Sequence, residues 1–348
     1  MSSPSVNQNA GQIFTSPGTL VCAAVIEETA LSKTFILKDR NGRSFDFKAG
    51  QFATIKLSIN GKTCLRSYSI SSPASRPDTL HLTVKRVPDG LVSNWLNDTV
   101  VAGSEIEIMN IGGDFNFPDL PGDKPFFLSG GSGITPVMSM MRTLLDQASD
   151  LDMTFVHFAR NPSDLIFADE LAFIRKRYPQ ATIHLVVDDL EGSTDFDGRE
   201  GRLSPELLEE LVPDHAERTI YMCGPEGFMK IAREITSQVP VKALHQESFG
   251  EAVVIPMPGS DEGGSVEFLQ SGKSIECNNN ETVLEAALDA GLWVESSCQQ
   301  GICGSCKVKL ASGEVDMPDL GGLQEFERAE GYILACCSRP KGAIRIDL

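Results

Sequence analysis

Four cysteines constrain this chain more than any other residues. Cys298, Cys303 and Cys306 fall in a C-x4-C-x2-C run, Cys298-Gln299-Gln300-Gly301-Ile302-Cys303-Gly304-Ser305-Cys306, and Cys336 follows about thirty residues on. That spacing is the ligand pattern of a [2Fe–2S] site. Two irons bridged by two sulfides need four thiolates, two on each iron. A short loop of small residues can wrap such a group and aim backbone N–H groups at its sulfurs, and Gly301, Gly304 and Ser305 keep this loop small. A structural zinc site fits poorly, because its ligands usually come as paired C-x2-C knuckles. A segment that holds a one-electron centre needs a source of electrons elsewhere in the chain.

A chain of 348 residues has room for two or three domains. Its formal net charge of −18 speaks against nucleic acid, whose phosphates call for Lys and Arg, and against an anionic membrane surface. It suits a partner that carries a basic patch. The remaining cysteines, Cys22, Cys64, Cys223, Cys277 and Cys337, are scattered without a disulfide-like pattern. Residues 1–18 are polar and read as a flexible N-terminus, without the basic and apolar regions of a signal peptide. With no apolar run long enough to span a bilayer, no membrane contact and a reducing cytoplasm are expected.

Residues 19–120 show short alternating apolar segments with turn punctuation. Leu20–Ile26, Thr34–Lys38, Phe52–Ile59, Leu80–Arg86 and Glu105–Met109 read as strands, with hairpin signals at Asn41-Gly42 and Asn60-Gly61. A small antiparallel β-barrel is the expected fold. Two of its stretches carry chemistry: Arg66-Ser67-Tyr68-Ser69-Ile70-Ser71-Ser72-Pro73, and Lys85 to Leu96 with Gly90-Leu91-Val92-Ser93 inside it.

In residues 121–250 the period changes. The apolar run Phe126-Phe127-Leu128 feeds Ser129-Gly130-Gly131-Ser132-Gly133-Ile134-Thr135-Pro136, and a helix is expected from Val137 to about Gln147. A strand, a Gly-rich turn and a helix N-terminus make a dinucleotide site, and Pro136 sits in the first turn, where a helix tolerates proline. Strands at Met153–Ala159, Thr182–Val187 and Arg218–Cys223 then alternate with helices at Ala168–Tyr178, Pro205–Leu211 and Pro225–Ser237, which predicts an α/β domain with a parallel sheet. Cys223-Gly224-Pro225 stands at the carboxyl end of its strand, where open α/β sheets bind ligands. Beyond Val187, Asp188, Asp189 and Glu191 favour a free ribose 2′-OH and hence NADH, while Arg160, Arg199 and Arg202 leave NADPH as the lesser alternative.

Residues 251–264 read as a linker rich in Pro and Gly. From residue 265 to 348, Val266–Leu269 and Lys273–Cys277 form an expected hairpin, Thr282–Ala290 a helix stopped at Gly291, Lys307–Leu310 a strand, Ile333–Cys337 a strand that carries the last ligand, and Ala343–Asp347 a closing strand. Cys336 and Cys337 are neighbours, and neighbouring side chains on an extended chain point apart.

These motifs, in this order, resemble the ferredoxin–NADP reductase superfamily, and specifically its hybrid members with a C-terminal plant-type [2Fe–2S] ferredoxin of β-grasp fold. The resemblance covers nearly all of residues 19–348. It implies a flavin site at Arg66, Ser67, Tyr68 and Ser69, with Lys85, Gly90, Val92 and Ser93 as its companion turn. The roles make physical sense: Arg66 offers a fork of donors to a phosphate, Tyr68 an aromatic face, Ser69 a hydroxyl near the flavin N5, and the turn at Gly90 free helix N–H groups. It implies nicotinamide contacts from Gly131, Gly133, Thr135, Pro136, Arg160, Asp188, Cys223, Gly224, Pro225 and Phe249. Ser69, Thr135, Cys223, Glu247 and Phe249 would set hydride geometry and flavin environment. FAD is implied over FMN by the Lys85–Leu96 stretch and by Ser71-Ser72-Pro73. The family places proline four residues after the last ligand, so Pro340 selects Cys336 and leaves Cys337 a buried thiol.

The activity implied is electron transfer from NADH through FAD to the [2Fe–2S] cluster and on to a partner that accepts one electron at a time. Phe167-x-x-Glu170-Leu171, Met222-Cys223-Gly224-Pro225 and His245-Gln246-Glu247-Ser248-Phe249-Gly250 are most similar to reductases of Rieske-type oxygenases that demethylate quaternary amines. The hybrid-cluster protein and a di-iron acyl-CoA epoxidase are alternative acceptors. A redox-sensing module without NADH turnover is the alternative of another class, and the two intact nucleotide motifs argue against it.

Overall fold

The computed structural model describes residues 12–249, 264–278, 281–294, 296, 301, 304, 306–318 and 323–348. The chain divides into two compact units, Met1–Phe249 and Gly250–Leu348. The expected linker, residues 251–264, lies outside the described residues except for Gly264, which already opens a strand.

The first unit begins with an antiparallel barrel. Its strands are β1 (Gly18–Thr29), β2 (Ser32–Lys38), β3 (Phe52–Ile59), β4 (Lys62–Ser69), β5 (Leu80–Lys85) and β6 (Glu105–Gly112), with helix α1 (Leu91–Thr99) between the last two. The sheet order is β4-β3-β6-β1-β2-β5, and a bridge from Ile70 to Leu82 joins its two edges. Inward-facing Leu20, Phe35, Leu37, Ile55, Leu82 and Ile108 fill the interior, and Val92 and Leu96 of α1 pack into the same core. Asn60 and Gly61 have φ of 52° and 76°, the two left-handed residues of a type I′ turn, and link β3 to β4 as expected.

Three sequence expectations change here. Asn41-Gly42 is no hairpin: β2 pairs with β1 and β5, and the turn is tied down by the Asp39 carboxylate, which accepts from the Asn41 and Arg43 amides at 2.8 and 3.2 Å. The stretch around Arg66 is a full strand. Of the segment expected to be flexible, Phe14 is buried in the barrel core, its ring 5.5 Å from that of Phe45 and its amide bonded to the Ser44 carbonyl. One aromatic side chain amid polar residues has too little periodicity to announce a core contact.

The second part of this unit is a parallel sheet. It contains β7 (Pro125–Gly130), α2 (Ile134–Asp146), β8 (Met153–Ala159), α3 (Ala168–Arg177), β9 (Ala181–Val187), the two-residue β10 (Arg199–Glu200), α4 (Pro205–Leu211), β11 (Thr219–Pro225), α5 (Glu226–Gln238) and β12 (Ala243–Phe249). The order is β10-β9-β8-β7-β11-β12. Side chains of α2 and α3 pack with one core, and those of α4 and α5 with the other. The middle strands are therefore covered on both faces, which is why β7 and β8 are buried at every residue and read as unbroken apolar runs. The strand order reverses between β7 and β11, the point at which open α/β sheets form a ligand crevice at their carboxyl ends. β12, not anticipated as a strand, carries Glu247 and Phe249 into this sheet.

The second unit is a mixed sheet of β13 (Gly264–Phe268), β14 (Lys273–Cys277), β15 (Lys307–Asp316), β16 (Tyr332–Leu334) and β17 (Arg339–Asp347), in the order β14-β13-β17-β15-β16. Helix α6 (Val283–Asp289) packs on it through Val283, Leu284, Ala286 and Ala287, after a reciprocal cap in which Thr282 and Glu285 satisfy each other's backbone. A short α7 (Glu325–Ala329) was not expected. The strand expected to run to Cys337 stops at Leu334, so Cys336 and Cys337 sit in a turn.

Candidate active site

β4 presents its residues to alternate sides: Arg66 and Tyr68 share one face, and Ser67 and Ser69 the other. Ser67 Oγ lies 2.9 Å from Thr54 Oγ1 on β3, which fixes it to the neighbouring strand. Arg66 is exposed and one guanidinium nitrogen donates to the Leu65 carbonyl at 2.7 Å. Tyr68 packs against the barrel core, and burial raises its phenol pKa despite the nearby charge of Arg66. Tyr68 is thus a neutral hydroxyl on an aromatic face. Ser69, buried at the end of the strand, donates to Glu247 Oε2 of β12 at 3.3 Å.

The companion turn is compact. Gly90 caps α1 without a side-chain acceptor, leaving the first-turn amides of the helix free of side-chain caps. Ser93 Oγ accepts from the Val87 amide at 3.2 Å, and a side chain on Gly90 would come within 2.6 Å of that oxygen. Val92 is buried beneath. Lys85, at the end of β5, faces Asp164 at 3.6 Å, and Arg160 reaches the same carboxylate at 2.5 Å. Two of the three expected cofactor-binding cations therefore converge on one buried acid that the sequence did not single out.

Across the crevice, Gly131 and Gly133 form a tight turn into α2, and Thr135 Oγ1 donates to the Ser132 carbonyl at 3.0 Å. Gly133 is pressed against the Cys223-Gly224 peptide, where a Cβ would stand 2.1 Å from the Cys223 carbonyl oxygen. The two glycine-containing motifs are thereby held in contact. The register β11 to β12 pairs Cys223 with Glu247, Gly224 with Ser248 and Pro225 with Phe249. Burial first, and then the Glu247 carboxylate, push the Cys223 thiol well above its ordinary range. Phe249 packs at the margin of the sheet core. On the far side of Cys223 the row continues through Ser129 to His157, whose Nδ1 lies 2.8 Å from Ser129 Oγ. His157 is fully buried, its Nε2 has no partner, and desolvation with the charge of Lys85 lowers its pKa to about 3.

Asp188 ends β9 in solvent, 3.7 Å from Arg202, while Arg199 pairs with Glu210 at 2.6 Å. Of the expected cluster ligands, Cys298 and Cys303 lie outside the described residues. Cys306 and Cys336 are both buried. The Cys306 thiol and the Gly301 amide bond to Cys336 and lower its pKa, but the Cys337 thiol and burial outweigh them and push it up to about 12. Cys337 instead donates to the Leu334 carbonyl at 3.7 Å.

The donors suit the groups they would hold. Exposed Arg66 and open helix amides fit a flavin phosphate. A glycine turn with Gly131 at a left-handed φ of 51° and Gly133 pressed on Cys223 leaves bare backbone that fits a pyrophosphate. Paired thiols with a backbone amide aimed at them fit an iron–sulfur cluster. Sequence reasoning missed Asp164, His157 and the brace of α2 described below. The brace had a signal: Ser139, Arg142, Thr143 and Asp146 form a polar stripe at helical spacing in an otherwise apolar helix.

Three family descriptions match consecutive stretches of the chain: Oxidoreductase FAD-binding domain over residues 23–117, Oxidoreductase NAD-binding domain over 127–234, and 2Fe-2S iron-sulfur cluster binding domain over 266–341. The glycine betaine monooxygenase reductase subunit of Chromohalobacter salexigens is 42% identical over 345 residues, 94% of each chain. The stachydrine N-demethylase reductase subunit of Rhizobium meliloti is 34% identical over 337 residues, 94% of this chain and 96% of its own. Among solved structures, phthalate dioxygenase reductase, described as a modular structure for electron transfer from pyridine nucleotides to [2Fe–2S], matches with a TM-score of 0.70 at 29% identity, over 95% of this chain and 98% of its own.

Proposed function

The chain belongs to the hybrid reductases of the ferredoxin–NADP reductase superfamily that carry a [2Fe–2S] ferredoxin domain, and on that premise we propose that it takes electrons from NADH for a Rieske-type oxygenase that demethylates a quaternary amine. One observation carries the catalytic reading: Ser69 of the barrel meets Glu247 of the parallel sheet, directly beside Cys223. Bound FAD supplies the conversion between the electron pair of a nicotinamide and the single electrons a cluster accepts.

The chain's own residues bind and orient. Arg66 holds the flavin phosphate, with Lys85, Gly90, Val92 and Ser93 shaping the turn beside it, and Ser67 keeps the strand in place. Tyr68 lays its ring against the flavin. Ser69 offers its hydroxyl at the reacting edge, steered by its bond to Glu247. Gly131, Gly133, Thr135, Pro136, Gly224 and Pro225 form the backbone cradle for the nicotinamide nucleotide, with Phe249 at its side. Cys223 stays a protonated thiol and provides a small neutral wall. Cys298, Cys303, Cys306 and Cys336 ligate the cluster, and the association of Cys336 with Cys306 supports choosing it over Cys337.

NADH is favoured over NADPH because each arginine near the rim already faces a carboxylate: Arg160 with Asp164, Arg199 with Glu210 and Arg202 with Asp188. Little free positive charge remains for a 2′-phosphate. The names of the two relatives support a quaternary-amine oxygenase as the partner, and the acidic chain suits a basic docking face on it. No described helix is long and apolar enough to cross a membrane, and the free thiols suit a reducing cytoplasm.

Anaerobic titration of the purified protein with NADH tests this reading. Flavin absorbance should bleach while a rhombic [2Fe–2S] signal grows in low-temperature EPR. Reduction by NADPH alone would overturn the nucleotide choice, and a signal only with dithionite would overturn the reductase reading. With a glycine-betaine-type oxygenase added, NADH consumption should depend on the amine; no such dependence refutes the partner.

A further inference from the structure

The helix that starts at the glycine turn also grips the segment that follows β4. α2 leaves Gly133 where it touches Cys223. Further along one side of the helix, Ser139 Oγ donates to the Ser72 carbonyl at 2.7 Å, Arg142 donates to the Ser71 carbonyl, Thr143 Oγ1 accepts from the Ala74 amide at 2.9 Å, and Asp146 accepts from Ser75 Oγ at 2.6 Å and Arg76 Nε at 2.8 Å. Positions 139, 142, 143 and 146 follow the i, i+3, i+4, i+7 rule of a helix face. Their partners lie within residues 71–76, which leave β4 just after Ser69.

Arg142 is the member of this stripe that also reaches α3. Its side chain is only 13% exposed. Its guanidinium forks onto Glu170 at 2.8 and 2.5 Å and lies 4.4 Å over the ring of Phe167. Phe167 takes a left-handed φ of 61°, an uncommon conformation for a bulky residue, directly before α3 begins. Ser71 is gripped from a second side. Its Oγ lies 2.8 Å from Thr83 Oγ1, which lies 2.7 Å from Thr34 Oγ1, and Thr34 donates to Glu28 at 2.6 Å. Glu28 in turn accepts from the Phe167 backbone and feels the charge of Arg142. The Ser71 carbonyl is thus held by Arg142, while its hydroxyl faces Thr83 and its amide donates to the His81 carbonyl of β5 at 2.9 Å.

We propose that Arg142 is a positioning residue for electron transfer from the nicotinamide: through Ser71 it sets where Ser69 and Tyr68 stand relative to Cys223 and the Gly131–Gly133 turn. It rests on the assignment of Ser69 and Tyr68 to the flavin site given above. Three partners lie in different directions from one planar fork, an arrangement that a lysine ammonium does not reproduce.

The test is stopped-flow reduction of the intact protein by NADH in Arg142→Met and Arg142→Lys, with flavin content measured by absorbance. Both variants should keep the flavin and the cluster, and their apparent Kd for NADH should stay within about twofold. The limiting rate of flavin bleaching should fall about 10- to 100-fold, as expected for a misplacement of reacting groups without lost binding. The long-wavelength charge-transfer absorbance between nicotinamide and flavin should weaken in parallel. An unchanged limiting rate and charge-transfer band in both variants overturns the proposal. If Arg142→Met loses flavin, Glu170→Gln, which keeps the arginine but loosens its fork, should slow bleaching with flavin retained; an unchanged rate there overturns it equally. Ser69→Ala is run alongside. Slowing by Ser69→Ala but not by the Arg142 variants removes the positioning role alone, whereas no effect of Ser69→Ala removes the flavin-site reading and this proposal with it.

Discussion

Ser69 and Glu247 are 178 positions apart in the chain and 3.3 Å apart in space, whereas the four cysteines with cluster-ligand spacing all fall between positions 298 and 336. The first site is assembled from β4, α2, β11 and β12, and no single local segment specifies it. The second set falls mainly in one short stretch of sequence, whose spacing alone suggests what it can hold. Robustness should differ accordingly. A site spread over many elements loses a factor when one side chain changes, because the others still position their share. A cluster with four obligatory thiolates loses everything when one is removed.

The sharpest way to break this contrast is at the adjacent thiols. Cys336→Ser should abolish the cluster's visible absorbance and EPR signal while NADH still bleaches the flavin. Cys337→Ser should keep both, since Cys337 spends its thiol on the Leu334 carbonyl. The reverse outcome would exchange the two assignments, and loss of flavin reduction in Cys336→Ser would end the idea of separable sites.

Next in size is the contact between the glycine turn and Cys223. In Gly133→Ala the new methyl would meet backbone at 2.1 Å, which cannot rotate away, so calorimetry should show the first unit destabilised by about 1–3 kcal/mol, the range for overpacking. Gly131 sits at φ 51° with nothing nearer than 3.9 Å to a new Cβ. Gly131→Ala should therefore cost only the left-handed backbone penalty, about 1–2 kcal/mol. A greater loss from Gly131→Ala than from Gly133→Ala would show that the close approach is not what holds the two motifs together.

The last effect vanishes near neutral pH and grows only as the pH falls. His157 remains neutral in the folded chain down to about pH 3, whereas an unfolded histidine takes up its proton near pH 6.5. The unfolded state therefore binds more protons in between, so this term is fully favourable above about pH 6.5 and is lost as pH falls toward 3. Denaturant unfolding of His157→Leu should show a shallower dependence of stability on pH between these limits, by up to about 1.4 kcal/mol per pH unit. An identical slope in variant and parent would mean that His157 does not titrate on unfolding as its burial implies.

Legibility followed the range of the interactions. The type I′ turn at Asn60-Gly61, the cap at Thr282 and the alternation of strands and helices in residues 121–250 are local or periodic, and each appears in the structure. Asn41-Gly42 carries the same turn signal but is used as an Asp39-bound loop, because whether a turn joins paired strands depends on where those strands go. Phe14 was missed for a related reason: its burial comes from Ser44 and Phe45, well along the chain. The expected strand through Cys336 and Cys337 ended early, since a cluster-binding segment needs a turn to bring a thiol toward Cys306 and Gly301.

The sequence by itself determined which groups this chain has to offer: a four-thiolate spacing, a glycine turn between strand and helix, an Arg-x-Tyr-Ser motif and an excess of acidic residues. These are legible because backbone geometry and ligand number act over a few residues. Only the tertiary structure decided how they meet. It brought Ser69 to Glu247, turned Lys85 and Arg160 onto Asp164, buried His157 without a partner for Nε2, and joined the segment after β4 to α2 through Arg142. Those choices follow from packing and charge pairing between elements distant in the chain, and no local pattern encodes which distant surface a side chain will face.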